Sequence, residues 1–162
     1  MESMAKRLRQ CKDFNEVFQL VKFAVEQSLG KHRAGLTLVL AELPNSVGAY
    51  HIMGSNIIVM NKTILDAVRA MAKSKEELNS FVFSILAHEY LHSMGHTDEK
   101  NVRLLVRKAS VENFGNNHQT VKFAFGDLFG MYPQLRALGP GKIGEEFFVV
   151  KEFDKSSMPY IA

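Results

Sequence analysis

The feature that most constrains the fold is a single long helix predicted over residues 74–95. Ser74 and Glu77 have the S-x-x-E spacing of a capping box, which pairs the first free N–H groups of a helix with side chains. Apolar residues then recur at three- and four-residue steps, namely Leu78, Phe81, Val82 and Ile85. This period predicts a helix with one buried face. Gly95 predicts the helix end, because glycine adopts the left-handed C′ conformation without a steric penalty.

Continuing the same steps along this helix reaches three polar residues, His88, Glu89 and His92, which places them on its buried face. The two histidines lie one helical turn apart, about 6 Å along the axis, so both imidazoles can bind one metal ion. Glu89 lies beside them and can take a proton from a water molecule whose pKa a zinc ion lowers toward neutrality. Two core histidines with structural hydrogen bonds are the alternative, but a buried glutamate between them is costly without a metal. The His-Glu-x-x-His pattern therefore predicts a hydrolytic zinc site.

The residues after His92 determine the third metal ligand. His96 would lie about 12 Å along the axis from His88, too far to share one ion unless the helix ends first. Gly95 predicts that end, after which the chain can turn back beneath the metal. Asp98, six residues beyond His92, is therefore predicted to supply an oxygen ligand. Other side chains remain as alternatives, namely Glu112, His96 and Glu99.

Residues 88–98, HEYLHSMGHTD, resemble the signature of the metzincin clan of zinc peptidases. That signature is H-E-x-x-H-x-x-G-x-x-H, in which aspartate replaces the last histidine in some members, and its fixed offsets make the match specific. The resemblance implies a zincin-like α+β domain that hydrolyses peptide bonds in a peptide or protein substrate. It also implies that Zn²⁺ is bound by His88, His92 and Asp98, with Glu89 as general base and then general acid.

A second resemblance to the metzincins lies at residues 156–160, SSMPY, which have the form of their Met-turn. It implies that Met158 lies under the metal and that Tyr160 binds the metal or stabilises the substrate oxyanion. This segment lies two residues before the end of the sequence, whereas typical metzincins continue with a further helix. The strand near residues 56–61 is similarly expected at a sheet edge above the cleft, where an extended substrate can pair with it. An internal strand is the alternative.

Two other families have related patterns. In thermolysin-like peptidases a glutamate about twenty residues after the second histidine completes the site, and Glu112 lies at that distance from His92. The bacterial rRNA-maturation endoribonucleases carry H-G-x-L-H-x-x-G-x-D-H, and this chain shares Leu91, Gly95 and the ligand spacing. Those nucleases have glycine where this chain has Glu89, which favours the peptidase. A metal-stabilised binding module would leave that glutamate unexplained, since structural zinc sites are normally closed by four ligands, usually rich in cysteine.

Local patterns outside the motif predict the remaining elements. Helices are expected over residues 14–25, with Gly30 as a stop, over 63–72 and over 102–109. Strands are expected over residues 36–40, 57–60 and 147–150, and the alternative for the last of these is an apolar segment that packs over the cleft. Four apolar residues of the following region are interpreted as core, with a cleft wall as the alternative, namely Phe123, Phe125, Leu128 and Phe129. The predicted fold class is α+β, with a small mixed sheet packed on helices.

Length and composition fit one compact domain spanning residues 1–162, of which 46% are hydrophobic and 23% charged. The single cysteine, Cys11, excludes an internal disulfide. Basic residues at the N-terminus have no apolar run behind them, so neither a signal peptide nor a membrane segment is expected, and the default location is the cytoplasm. The formal net charge is only +3, with Lys and Arg interspersed among Asp and Glu, so a nucleic-acid partner is not expected.

Overall fold

The computed structural model describes residues 2–125 and 127–154, which have an α+β fold of eight helices and one four-stranded mixed sheet. The helices are α1 (Met4–Gln10), α2 (Phe14–Leu29), α3 (Lys62–Met71), α4 (Lys75–Ser93), α5 (Glu99–Phe114), α6 (Gln119–Phe125), α7 (Leu128–Met131) and a 3₁₀ helix at Pro133–Leu138. The strands are β1 (Thr37–Ala41), β2 (Ala49–His51), β3 (Ile57–Asn61) and β4 (Phe147–Val149). The predicted α+β class is confirmed. None of the described helices is long and apolar enough to cross a membrane.

The sheet has the strand order β2-β3-β1-β4. Its two central strands, β1 and β3, are parallel, with Thr37 opposite Ile57, and each outer strand is antiparallel to its neighbour. Because side chains alternate between the two faces of a strand, each face can be buried by a different set of residues. Leu38 belongs to the larger core, whereas Val39 and Val59 belong to a smaller apolar cluster.

The strand at the sheet edge beside α4 is β2. Of the two alternatives for residues 56–61, the internal strand is confirmed and the edge strand is wrong, because β3 is hydrogen-bonded to β2 on one side and to β1 on the other. The three residues of β2, Ala49, Tyr50 and His51, have no apolar run and are partly buried or exposed. The sequence pattern therefore missed this strand, whose position is set by its antiparallel pairing with β3.

Helix α4 is surrounded by other elements and packs against α1, α2, α5, α6 and β2. Its predicted beginning is confirmed, because the Ser74 hydroxyl accepts the N–H of Glu77 at 3.1 Å. Its predicted end is confirmed as well, since Gly95 follows the C-cap residue with a φ of 97°. The prediction of one buried stripe is too narrow, because residues between the stripe positions, such as Phe83 and Leu86, are also buried. Helix α4 is thus a core element that carries the His-Glu-x-x-His pattern.

Helix α2 confirms the first predicted helix and anchors the last described residues. Gly30 ends it in the left-handed conformation, with a φ of 66°. Lys22 of α2 forms a buried ion pair with Asp154. The second carboxylate oxygen of Asp154 accepts the N–H groups of Gly35 at 2.9 Å and of Leu36 at 3.1 Å. The segment leading into β1 is therefore held against α2 through a single carboxylate.

Candidate metal centre

Three side chains from two consecutive helices meet at the end of α4. His88 and His92 lie near the C-terminal end of α4, and Glu99 is the first residue of α5. Residues 94–98 reverse the chain between the two helices, with Gly95 in the left-handed conformation. The start of α5 thereby returns to the end of α4, and a carboxylate seven positions after His92 reaches both imidazoles.

The distances within this group fit a metal ion. His88 Nε2 lies 3.2 Å from His92 Nε2 and 3.1 Å from Glu99 Oε2, and His92 Nε2 lies 2.5 Å from Glu99 Oε1. One ligand atom from each residue lies within 4.8 Å of the other two. Tetrahedral zinc with bonds of about 2.0–2.1 Å needs ligand atoms about 3.3 Å apart, so two of the three distances already fit. Two imidazoles and a carboxylate are also a donor set of catalytic zinc sites.

The structure places the two main predicted oxygen ligands elsewhere. Asp98 is the N-cap of α5, and its Oδ1 accepts the N–H of Lys100 at 3.2 Å. Glu112 lies in the last turns of α5, where it forms an exposed ion pair with Lys108 at 3.0 Å. Among the described residues, the carboxylate that joins the two histidines is Glu99. Neither Asp98 nor Glu112 belongs to this group, so metal binding by either residue stays a prediction.

Capping chemistry is the sequence signal that favours Glu99, which was only a weaker alternative from spacing. Aspartate is a preferred N-cap residue, and glutamate is favoured in the first helical turn. An Asp-Glu pair before a helix therefore predicts that Asp98 caps the helix while Glu99 projects from its first turn. Met158 and Tyr160 lie outside the described residues, so their roles stay predictions.

The His96 backbone orients one of the candidate ligands. Its carbonyl oxygen lies 2.6 Å from His92 Nδ1. This contact makes Nδ1 the hydrogen-bond donor and leaves Nε2 of His92 with the lone pair that a metal requires. His96 therefore contributes through its main chain, although the sequence considered its side chain as a ligand.

Burial controls the protonation of the site. Burial lowers the pKa of His88, which favours the neutral imidazole that binds metals. Burial would raise the pKa of Glu99, but its hydrogen bonds to His88 and His92 outweigh that effect and lower it. Glu89 is only 5% exposed, and burial raises its pKa to about 7. A cation bound in front of Glu89 would lower this pKa again.

Two adjoining cavities of about 500 and 670 Å³ form one cleft along the candidate metal centre. Their shared wall consists of Ser46, Gly48, Ala49, His88, Glu89, Glu99 and Arg103. The remaining wall of the smaller cavity carries many apolar side chains, among them Ile64, Phe81, Ile85, Phe123, Phe125 and Phe129. The larger cavity has a more polar wall that includes Arg33, His51, Ser55, Ser93 and Thr97. The cleft therefore continues on both sides of the candidate ligands, with different chemistry on each side.

Helices α6 and α7 supply part of the apolar wall, which bears on the interpretation of four residues as core or cleft wall. Phe125 is 46% exposed and lines the smaller cavity, so the core interpretation is wrong for this residue and the cleft-wall alternative is confirmed. Phe123, Leu128 and Phe129 are partly buried against the core and also line the smaller cavity. Their apolar pattern is the same for both roles, because a cleft wall and a core are built from the same residue types.

Arg103 lies where the two cavities meet. It follows Glu99 by one turn of α5, with its Nε 4.0 Å from Glu99 Oε2. Its side chain is more than half exposed, so the long stem can turn toward a group bound in the cleft. A guanidinium at this position can stabilise negative charge that develops on a substrate oxygen.

No family model, curated protein or solved structure matches this chain. What the structure shows is an α+β fold with a candidate metal site formed by two histidines and a glutamate.

Proposed function

We propose that this protein is a zincin-like zinc peptidase, with Zn²⁺ held by His88, His92 and Glu99 and with Glu89 as general base. The observation that carries the proposal is the convergence of three ligand atoms within 4.8 Å of one another, beside a buried glutamate. The two histidines and one glutamate are the donor set of the thermolysin-like peptidases. The short spacing between the ligands is closer to the metzincin pattern. The proposed site therefore combines the donor set of the thermolysin-like peptidases with a local chain reversal like that of the metzincins.

The residues around the site have separate roles in peptide hydrolysis. When bound, zinc supplies a Lewis acid that polarises a peptide carbonyl and lowers the pKa of a water molecule. Glu89 takes the proton from that water molecule and passes it to the leaving amine. Its burial supports this role, because a carboxylate withdrawn from solvent holds a proton closer to neutral pH. The His96 carbonyl supports it by fixing the orientation of the His92 ring.

A polypeptide is the substrate class that best fits the cleft. Strand β2 lies at the sheet edge beside the candidate metal centre, and its residue Ala49 lines both cavities. A strand at a sheet edge can pair with an extended chain through main-chain hydrogen bonds. Because the cleft continues on both sides of the ligands, such a chain can enter on one side and leave on the other. The apolar wall favours a bulky apolar side chain on that side of the cleaved bond.

Zinc content tests the metal part of this proposal. We expect about one zinc per wild-type chain purified without chelators, and its loss in Glu99→Gln. Asp98→Asn is the matched control, because asparagine also caps a helix, and Glu112→Gln is a second control on the same helix. Both controls should keep the metal. Loss of zinc in Asp98→Asn but not in Glu99→Gln would assign the third ligand to Asp98 instead, and a wild type without zinc would refute the metal site.

Hydrolysis tests the catalytic part. Zinc-loaded wild type should release peptides from denatured casein, whereas Glu89→Gln should keep its zinc and lose about 10²–10⁴-fold in rate. A single-stranded RNA assayed in parallel tests the endoribonuclease alternative. Cleavage of RNA but not of casein by the wild type would reject the peptidase.

A further inference from the structure

Arg33 is a partly buried arginine in the wall of the larger cavity, where its side chain bridges two segments of that wall. Its Nη1 donates to the carbonyl of Ser93, the last residue of α4, and its Nη2 donates to the Ser55 carbonyl at 3.2 Å. Its main-chain N–H donates to the Tyr90 hydroxyl at 2.7 Å, and that hydroxyl donates to the Arg33 carbonyl at 3.0 Å. The guanidinium is therefore fixed at the carbonyl that directly follows the candidate ligand His92.

The positive charge of Arg33 is not balanced by a carboxylate of the described chain. Both of its side-chain contacts are to carbonyl groups, and Arg33 forms no ion pair within residues 2–125 and 127–154. A guanidinium carries five N–H groups, and these two contacts leave the others available to a ligand. Because a charge withdrawn from water is costly without a counter-charge, a carboxylate that enters the cavity would be stabilised beside Arg33.

The two cavities differ in the charges of their walls. Arg33 and Arg103 both line the larger cavity. The carboxylates that line it, among the residues that the structure describes, are Glu89 and Glu99. Both belong to the candidate metal centre, where a bound cation would offset their charge. The smaller cavity lacks Arg33 and includes Asp127. The larger cavity is therefore the one that attracts a carboxylate of a substrate.

Strand β2 determines which side of a bound peptide enters the larger cavity. The Gly48 carbonyl accepts an N–H group of β3 at 2.8 Å, and the Ile52 N–H donates to a residue beside β3 at 3.0 Å. Since hydrogen-bonded residues alternate along an antiparallel pair, Ala49 and His51 direct their main-chain groups away from β3. Ala49 lines both cavities and His51 lines only the larger one, so β2 runs from the junction into the larger cavity. A peptide paired antiparallel to β2, which is the more stable pairing, therefore has its N-terminal side in the larger cavity.

We propose that the larger cavity binds an acidic side chain on the N-terminal side of the cleaved bond and that Arg33 is the residue that selects it. This inference rests on the proposed peptidase function and names its substrate class. The substrates are polypeptides in which glutamate or aspartate lies one or two residues before the cleaved bond and a bulky apolar residue follows that bond. The acidic residue lies this close because Arg33 contacts the carbonyl next to His92.

Peptide binding to zinc-loaded Glu89→Gln tests this preference without cleavage. Three fluorescent peptides carry two glutamates, two glutamines or two lysines directly before a phenylalanine. In fluorescence anisotropy, the glutamate peptide should have a Kd about tenfold below that of the glutamine peptide, and the lysine peptide should bind most weakly. A peptide with phenylalanine before the two glutamates should bind no more tightly than its glutamine counterpart. Equal Kd values for the first two peptides would overturn the proposal, even if no Arg33 variant folds.

Substitutions of Arg33 in the same background test whether this residue selects the carboxylate. Arg33→Gln should make the Kd values of the glutamate and glutamine peptides equal, whereas a purely structural role would weaken the binding of both. Arg33→Lys should keep part of the preference, because lysine keeps the charge but not the paired N–H groups. Lys31→Gln is the matched control, since Lys31 is exposed and lines neither cavity, and it should keep the full preference. A preference that persists in Arg33→Gln would overturn the role of Arg33.

Hydrolysis separates a failure of this inference from a failure of the proposed function. Wild type should cleave the glutamate peptide before phenylalanine, as mass spectrometry of the products will show, with a kcat/KM about tenfold above that of the glutamine peptide. Equal kcat/KM values, with casein still hydrolysed, would overturn the acidic preference alone. A glutamate preference only in the reversed peptide would overturn the proposed direction. Absence of hydrolysis of casein and of every peptide would refute the peptidase proposal, and this inference with it.

Discussion

The buried ion pair between Lys22 and Asp154 gives the sharpest stability prediction. Asp154→Asn leaves the Lys22 ammonium buried without its counter-charge, which typically costs about 3–5 kcal/mol. Asparagine has one acceptor oxygen, which can still serve the N–H groups of Gly35 and Leu36, so little further loss is expected from these donors. We therefore expect Asp154→Asn to lower the free energy of unfolding by about 4 kcal/mol.

A double-mutant cycle in urea measures this coupling. Lys22→Met should cost less than Asp154→Asn, about 2–3 kcal/mol, because the carboxylate keeps two backbone N–H donors. The variant Lys22→Met/Asp154→Asn removes both charges and should be more stable than Asp154→Asn alone. A loss of under about 1 kcal/mol in Asp154→Asn would refute the reasoning, because it would mean that the ion pair is solvated in solution.

Three further predictions concern single residues. Arg103→Ala should lower kcat by about 10²-fold with zinc content unchanged, and Arg103→Lys should recover part of it, as steady-state kinetics will show. Gly48→Val should raise KM, because a Cβ at Gly48 lies 3.5 Å from Ile85 Cδ1 and the valine methyl groups would narrow the cleft. Equal KM values for wild type and Gly48→Val would contradict this. Burial raises the pKa of Cys11 to about 11, so iodoacetamide at pH 8 should alkylate it about 100-fold more slowly than a free thiol. The folded protein keeps the Cys11 thiol protonated above the ordinary thiol pKa, whereas the unfolded chain does not. The contribution of Cys11 to the free energy of unfolding should therefore fall between about pH 9 and 11, and this fall should be absent in Cys11→Ala.

Local signals predicted the part of the site that lies on one helix. The cap at Ser74, the stop at Gly95 and the positions of His88 and His92 all follow from interactions within a few residues along the chain. Such interactions are readable from sequence because helical periodicity places the side chains directly. The same holds for Glu89, whose burial was predicted from its position on the helix and is confirmed.

The parts that sequence reasoning missed or left open depend on contacts between distant segments. Strand β2 has no pattern of its own, and its place at the sheet edge follows from pairing with β3. Phe125 has the composition of a core residue, and only the packing of α6 against α4 and α5 decides that it lines a cleft. These assignments need the three-dimensional arrangement, since local propensity is the same for either outcome.

The candidate third ligand, Glu99, depends on where one helix begins. Asp98 was favoured by its spacing from His92 and by the metzincin resemblance, and helix α5 was predicted only from residue 102, whereas the helix begins at Glu99. The helix N-terminus favours a carboxylate, and the C-terminus of α4 favours a positive charge near its last carbonyl groups. The dipole of α4 would therefore stabilise a metal ion bound between His88, His92 and Glu99. The dipole of α5 would stabilise the Glu99 carboxylate that binds this ion. Asp98 contributes by capping α5, which fixes the turn from which Glu99 reaches the histidines.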